Sequence, residues 1–345
     1  MTYSRTLLKC DYVDYFDRHS KSLLGSGVAS REWEDQLKSE EYPSSKRVGA
    51  RLKAFVFLTI IRPVNCLMIG FGVVIGEIMA LNGCLIPIPA LIGFLVAFFL
   101  MAATMVMNDY YDLEIDMVNN PRRPIPSGLV SPREALSYSF LLSIIGLVFA
   151  AFTNPSGFIV AAFALGLMMY YNTRGKRTGL LGNVLVSVCI ALPFIYGGIV
   201  VESVKPVLGI FSIMAFLSNL GREVTKGVMD VDGDALKGVR TVAVLHGPTK
   251  ASQISALFFA LAVLISPIPI VFDMVSTLYL PLVAVADVGF IASSIFFVKD
   301  PSRRNAKAVK SLALIWMTVG LAAFVAGSYS NLKGSQFVGL SANSI

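Results

Sequence analysis

Nine stretches of this chain are apolar and long enough to cross a lipid bilayer, and they constrain its fold more than any other feature. A helix needs about 20 consecutive apolar residues to span the hydrocarbon core, and each stretch is close to that length. We therefore predict an all-α polytopic membrane protein with nine transmembrane helices. The stretches lie at residues 55–81, 85–107, 134–152, 155–171, 179–200, 206–221, 249–271, 276–298 and 308–328.

The composition agrees with a membrane location and argues against other classes of protein. Hydrophobic residues make up 55% of the chain and charged residues only 15%, whereas a soluble domain carries about 25% charged residues. The net charge of +7 is explained by membrane topology, so we expect no nucleic-acid partner. The four cysteines are scattered, and we expect buried side chains there, not disulfides or metal ligands.

The distribution of lysine and arginine predicts the orientation in the membrane. Basic residues concentrate in alternate connections, which the positive-inside rule assigns to the cytosol, and the other side receives only Lys205 and Lys333. The pattern predicts a multi-pass cell-membrane protein with a cytoplasmic N-terminus and its C-terminus outside. Residues 1–47 are expected to form a cytosolic tail, partly disordered, residues 48–330 the membrane domain, and residues 331–345 a short C-terminal tail.

A dense acidic motif follows the second apolar stretch directly. This first motif is NDYYDLEID at residues 108–116, and the stretch before it has no charge. In a helix, Asn108, Asp112 and Asp116 would project from one face, because they recur every four residues. Like charges at that spacing repel, so a divalent metal on this face would make the arrangement favourable.

A second acidic motif lies in the connection after the sixth stretch, on the same predicted side of the membrane. It is DVDGD at residues 230–234, in which Asp230 and Asp234 are again four apart. Glu223 and Gly227 share a face with both aspartates if the helix of the sixth stretch continues. Both motifs are thus predicted at helix ends on the cytosolic side.

Two facing sets of oxygen ligands suit Mg²⁺ and a phosphate-bearing substrate. Mg²⁺ keeps several waters and takes one or two carboxylates together with phosphate oxygens. A diphosphate held between the motifs would be neutralised and stabilised as a leaving group, and the adjacent membrane suggests an apolar tail on the same substrate. A single acidic motif is usually a solvated surface, but two at one side of a membrane favour a binding site.

Basic residues near the motifs have two interpretations. Lys176 and Arg177 lie in a glycine-flanked connection, where they act either as topology signals or as diphosphate contacts. Arg62 lies several residues inside the first stretch, where an arginine either faces a polar cavity or extends to the interface.

These residues resemble the UbiA superfamily of intramembrane prenyltransferases. The first motif is similar to its NDxxDxxxD motif, and Asp230-x-x-x-Asp234 is similar to its second DxxxD motif. Further support comes from Arg62-Pro63, from the RPIPSG segment at 123–128 and from the KRTG segment at 176–179. The resemblance covers about residues 50–330. It implies nine helices around a central cavity and Mg²⁺-dependent transfer of a prenyl group from a prenyl diphosphate.

The resemblance also implies roles for individual residues. The metal ligands would be Asn108, Asp109, Asp112, Asp116, Asp230 and Asp234, although Asp109 points about 100° away from Asn108 in a helix and is a less direct ligand. The catalytic group would comprise Asp112, Asp116, Asp230, Asp234 and Glu223. Substrate binding would involve Arg62, Asn65, Lys176, Arg177, Arg222 and Lys226.

The acceptor is indicated by a shorter resemblance. Arg222-Glu223-x-x-Lys226 and the run from Asn65 to Met68 are most similar to the archaeal branch of the family, which adds a geranylgeranyl chain to geranylgeranylglyceryl phosphate. A phosphate monoester needs cations, which Arg222, Lys226 and Arg62 can supply. We therefore expect attack by the free hydroxyl of this acceptor on geranylgeranyl diphosphate, with Glu223 or a motif aspartate accepting the proton. No obligatory protein partner is inferred.

Three alternatives remain at this point. The same chemistry can use an aromatic quinone precursor or a chlorin as acceptor. A secondary transporter would also bury polar residues, but its site is expected near the bilayer midplane, whereas the motifs are predicted near the membrane surface. A purely structural membrane protein leaves both motifs unexplained.

Overall fold

The computed structural model describes residues 50–113, 116–117, 120–236 and 238–329. The predicted tails at 1–47 and 331–345 lie outside these residues. Within the described part the regular elements are all helical. In chain order they are α1 (Ala50–Ile60), α2 (Pro63–Ala80), α3 (Pro87–Tyr111), α4 (Pro132–Ala151), α5 (Pro155–Thr173), a 3₁₀ turn (Gly175–Thr178), α6 (Leu180–Val200), α7 (Pro206–Met229), α8 (Val231–Leu236), α9 (Val242–Ile265), α10 (Ile268–Val271), α11 (Tyr279–Lys299) and α12 (Arg303–Tyr329).

Nine spans among the described residues are long and apolar enough to cross a membrane, which confirms the predicted fold class. They correspond to α2 to α7, to α9 together with α10, to α11 and to α12. Five of these helices begin with proline: α2, α3, α4, α5 and α7. Proline suits the first helical position because its fixed φ matches the helix and the amide hydrogen it lacks would have no partner there.

The first apolar stretch is not one continuous helix, although its predicted range of 55–81 implied one. α1 ends at Ile60, and Arg62 adopts a left-handed conformation with φ 52° and ψ 70° before α2 begins. Pro63 is the physical reason, because the residue before a proline is disfavoured in the right-handed helical region. Arg62 therefore stands at the start of the first span, not within it.

The spanning helices form a closed ring. Each packs against the next along the chain, and α12 also packs against α2 and α7. The closest approach joins α2 and α6, where a Cβ on Gly76 would lie 2.2 Å from the backbone oxygen of Phe194 and one on Gly197 would lie 2.1 Å from that of Val73. Only glycine permits such backbone contact, so these two helices are fixed against each other.

Both acidic motifs lie at one end of this ring. α3 and α7 end there, and α6 begins there after the 3₁₀ turn. We call this end, which carries residues 108–113, 116, 174–179 and 222–234, the motif end, and the other the opposite end. The ring thus brings together segments more than a hundred residues apart in the chain.

Candidate active site

The first motif continues the helical register of α3 beyond its last regular residue. The amide of Asp112, which caps α3, donates to the Asn108 carbonyl at 2.9 Å, and the amide of Asp116 donates to the Asp112 carbonyl at 2.8 Å. The spacing therefore predicted the backbone correctly. The side chains, however, divide into two groups instead of forming one polar face.

The buried group contains Asp109 and Asp116, which are seven residues and hence about two helical turns apart. Their side chains are only 7% and 5% exposed. Arg62 Nη2 contacts Asp109 Oδ1 at 2.5 Å, while Arg123 contacts Asp116 and also reaches Asp109 Oδ1 at 3.5 Å. Two guanidinium groups therefore neutralise two buried carboxylates. The left-handed turn at Arg62 places one of these cations beside α3.

The open group contains Asn108, Asp112 and Lys176. Asn108 Nδ2 donates to Asp112 Oδ2 at 3.0 Å, and Lys176 Nζ donates to the same oxygen at 2.6 Å. Lys176 and Asp112 remain 24% and 21% exposed, so a ligand can reach both. Burial lowers the pKa of Lys176 below its ordinary value and Lys226 adds to that effect, while Asp112 opposes it.

The second motif is more exposed than the first. α7 ends at Met229, and Asp230 caps it, while the amide of Asp234 donates to the Asp230 carbonyl at 2.8 Å. Asp230 is exposed and Asp234 half-buried. The Asp230 carboxylate has no hydrogen bond or ion pair with the part of the chain that the structure describes. Asp232, to which no role was assigned, pairs with Arg303 across the surface.

About two turns before the second motif, Glu223 lies between two cations. Arg222 Nη1 contacts Glu223 Oε1 at 2.8 Å, and Lys226 Nζ lies 3.6 Å from Glu223 Oε2. The Nε of Arg222 is buried and has no hydrogen-bond partner among the described residues. Arg222 and Lys226 therefore form a cationic pair that Glu223 holds at the end of α7.

The connection between α5 and α6 joins the two motifs. Lys176 in this connection bonds Asp112 and is also influenced by Lys226, and Tyr171 at the end of α5 lies within the electrostatic influence of both Asp112 and Glu223. Gly179, with φ 66°, approaches the backbone after the second motif so closely that a Cβ would lie 1.8 Å from the Arg240 oxygen. The fold therefore holds the two motifs around this connection.

The remaining predicted residues are placed less centrally, and one important residue was missed. Asn65 is exposed and its Nδ2 lies 3.8 Å from the Met105 sulfur, and Arg177 is exposed. Arg123 was not among the predicted site residues, although it contacts both buried aspartates. Its position directly before Pro124 and seven residues after Asp116 was the available signal.

The donor set at the motif end fits Mg²⁺ only when a substrate completes the coordination. No group of three or more His, Cys, Asp or Glu residues in the described ranges is close enough to hold a metal by itself. The accessible ligands are the oxygens of Asn108, Asp112 and Asp230. This small number of oxygen ligands agrees with the usual coordination of Mg²⁺, which combines one or two carboxylates with substrate phosphates and water.

An apolar cavity lies inside the helix bundle, between the motif end and the opposite end. It lies between α2, α3, α5 and α6 and has a volume of about 40 Å³. Met168 lines it near the motif end, where its sulfur accepts a 3.0 Å hydrogen bond from Thr104, and Tyr196 lines it further along α6. The cavity contains almost no polar surface, so it suits a hydrocarbon chain.

Comparison with known proteins yields one family and several similar proteins. Residues 69–331 match the model of the UbiA prenyltransferase family. A digeranylgeranylglyceryl phosphate synthase of Methanopyrus kandleri is 34% identical over 270 residues, which cover 78% of this chain and 98% of that protein.

Two solved structures are also similar. A structure described as giving insights into digeranylgeranylglyceryl phosphate synthase in membranes is 32% identical, with a TM-score of 0.73 over 80% of this chain and 99% of that one. A UbiA homolog from Archaeoglobus fulgidus bound to DMAPP and Mg²⁺ shares the fold with 20% identity, a TM-score of 0.54, and coverage of 78% and 98%.

Proposed function

This chain belongs to the UbiA prenyltransferase family, and we propose that it transfers a geranylgeranyl group from geranylgeranyl diphosphate to the free hydroxyl of geranylgeranylglyceryl phosphate. The reaction forms the second ether bond of an archaeal-type membrane lipid. The observation that carries the proposal is the accessible Asp112–Lys176 pair at the end of a helix bundle whose interior holds an apolar cavity. This combination suits a molecule with an anionic head and a hydrocarbon tail that enters by displacing the cavity side chains, as expected for the substrate of a relative similar over nearly its whole length.

The donor diphosphate binds at the open group of the first motif. Asn108, Asp112 and Asp230 would hold Mg²⁺, with Asp116 and Asp234 beside them, and the ion would neutralise the charge of the diphosphate. Lys176 shifts its ammonium from Asp112 to the diphosphate oxygens, where a cation is favoured. Arg177 approaches from the exposed side of the same turn.

Asp109 and Asp116 have a structural role in this site, because they hold two arginine side chains in place. Their buried carboxylates fix Arg62 and Arg123, so that positive charge stays next to the reacting groups. Arg62 is held at 2.5 Å from Asp109 and is the guanidinium nearest the start of α2, beside Asn65. We assign both arginines to positioning the anionic head groups.

The acceptor phosphate binds to the cationic pair at the end of α7. Arg222 and Lys226 present their charges about two turns and one turn before the second motif, and a guanidinium next to an ammonium suits a phosphate monoester. Glu223 keeps the two cations together. This arrangement favours a phosphorylated acceptor over an uncharged aromatic one.

The chemical step exchanges one C–O bond for another. The bond between the allylic carbon and the diphosphate oxygen breaks, and its electron pair leaves with the diphosphate. The sn-2 hydroxyl oxygen then bonds to the allylic carbon, and its proton passes to Glu223 or to a motif aspartate. The ring of helices excludes water from the cavity, which protects the allylic cation from hydrolysis.

The orientation in the membrane belongs to the same proposal. The motif end faces the cytoplasm, where both substrates present their head groups, and the basic connections at residues 174–177 and 222–226 agree with the positive-inside rule. Residues 48–330 then form the membrane domain.

An acceptor panel tests the function. Purified protein in detergent with Mg²⁺ is given labelled geranylgeranyl diphosphate and, in separate reactions, geranylgeranylglyceryl phosphate, an aromatic quinone precursor, and a chlorin. We expect label in the ether product of the first reaction only, and loss of product on chelation. Transfer to the aromatic or chlorin acceptor at a higher rate would overturn the assignment, and ion-coupled uptake by proteoliposomes without product would indicate a transporter.

A further inference from the structure

The apolar cavity has flexible walls near the motif end. Met168 and Leu100 line it there, and methionine changes rotamer easily. The cavity volume of about 40 Å³ is far too small for a prenyl chain of any length. A prenyl chain must therefore enter by displacing these side chains. The longest chain that can bind is then limited by the part of the cavity wall that cannot move.

The far end of the cavity is rigid. Tyr196 lies there, 5% exposed, and packs in one cluster with Val73, Val96 and Ala161. The next residue, Gly197, is in backbone contact with α2, so α6 cannot move away from a bound prenyl chain. The hydroxyl of Tyr196 is buried near Thr153, which follows α4 at the opposite end, although no hydrogen bond of normal geometry joins them.

The distance from the site to this floor matches one chain length. Leu100 and Val96 precede Asp112 by 12 and 16 residues, which corresponds to about 18 and 24 Å along a helix. On α6, Tyr196 is 16 residues from Leu180, again about 24 Å. An extended chain of sixteen main-chain carbons, as in a geranylgeranyl group, is about 20 Å long from a C–C bond length of about 1.5 Å, and the diphosphate adds a few ångströms.

We propose that the ring of Tyr196 is the floor of the prenyl chamber and sets the longest donor chain at 20 carbons. A prenyl chain with one more isoprene unit would need about 5 Å more. The glycine contact between α2 and α6 prevents the phenol ring of Tyr196 from moving aside to provide that length. Shorter chains fit but leave apolar surface at the floor unfilled. This inference rests on the proposed prenyl transfer and adds the residue that selects the donor.

The test compares prenyl diphosphates of 15, 20 and 25 carbons by kcat/KM with a fixed acceptor. Wild-type protein is expected to prefer 20 over 25 carbons by at least about tenfold, since even one additional methylene in a closed pocket costs about 10-fold or more. Tyr196→Ala should remove most of that preference. Tyr196→Phe retains the ring and should retain the preference.

Two further variants make the result decisive. Phe194→Ala removes a ring two residues earlier on α6, where it faces Phe211 with centroids 4.6 Å apart and lies outside the cavity lining, and it should not change the ratio. Ala161→Leu narrows the chamber beside Tyr196 and should shift the preference towards 15 carbons.

The outcomes separate this inference from the proposed function. An unchanged 20-to-25 ratio in Tyr196→Ala, in protein that still turns over the 20-carbon donor, would overturn the role of Tyr196 alone. An equal change in Phe194→Ala would also overturn it, since the effect would then be general loosening of α6. Absence of prenyl transfer by wild-type protein with every donor would instead refute the proposed function.

Discussion

The two acidic motifs have similar spacing but opposite surroundings. In the first, Asp109 and Asp116 are buried and bound by guanidinium groups, and Asp112 accepts a hydrogen bond from Lys176. In the second, Asp230 is exposed. The first motif is thus part of the protein's own charge balance, whereas the second offers a carboxylate that a bound ligand can use directly.

This difference separates stability from activity. Removing a buried carboxylate leaves its cations without a counter-charge, which is costly in a region with little water. Removing an exposed carboxylate costs almost nothing in stability, so its loss is seen only when substrate is bound. The same substitution should therefore lower the stability when it is made at a buried aspartate of the first motif, and the activity when it is made in the second motif.

The largest expected effect concerns Asp112, which lies in the first motif but is accessible to a ligand. Asp112→Ala removes the open carboxylate of the first motif, and we expect kcat/KM to fall by about 10³-fold, the order seen when one group that stabilises developing charge is lost. The side chains of Asp112 and Lys176 are 21% and 24% exposed, so the loss of their ion pair should lower the stability by about 1 kcal/mol and leave the protein folded in detergent. An Asp112→Ala protein with wild-type turnover would exclude this carboxylate from the reaction.

The next effect contrasts the two motifs directly through stability. Asp109→Asn leaves Arg62 without its carboxylate partner, while Arg123 keeps Asp116. The Arg62 side chain is 34% exposed, so solvent screening reduces the cost of breaking this buried pair to about 2 kcal/mol. Asp230→Asn should lower activity without a change above about 0.5 kcal/mol. Equal melting temperatures of the two variants would refute the division into a buried and an open motif.

A smaller effect is expected in the pH dependence. The protonated ammonium of Lys176 binds diphosphate, and burial lowers its pKa, so kcat/KM should decline at a pH below the ordinary lysine value of about 10.4. Lys176→Arg remains charged to higher pH and should move this alkaline limb upward. Lys226→Arg is the matched control, and an equal shift in that variant would locate the titrating group elsewhere.

The smallest effect is expected for the surface pair beside the second motif. The side chains of Asp232 and Arg303 are 77% and 54% exposed, and an exposed pair contributes about 0–1 kcal/mol. Asp232→Asn should therefore leave both the melting temperature and kcat/KM close to wild type. A loss of activity comparable with that of Asp230→Asn would extend the functional part of the second motif to its middle residue.

Much of the fold was predictable from the chain alone. The nine spans follow from apolar length, since a bilayer core accepts few polar residues, and the helical register through Asp112 and Asp116 follows from their spacing. The break before α2 was not predicted, although Pro63 was visible, because hydropathy does not record backbone conformation. The sequence suggested the candidate metal ligands of the site, but not the arginine and lysine side chains that pair with them.

The sequence by itself determined that this protein is a helical membrane protein with two acidic motifs on one side, because membrane burial and helical periodicity are local properties of the chain. Only the tertiary structure decided which cation neutralises which carboxylate, and that Arg123 contacts both Asp109 and Asp116. It also placed Tyr196 at the end of the cavity. These relations depend on the close contact of α2 with α6 and on the closure of the ring, which join residues too distant in the chain for any local pattern to relate.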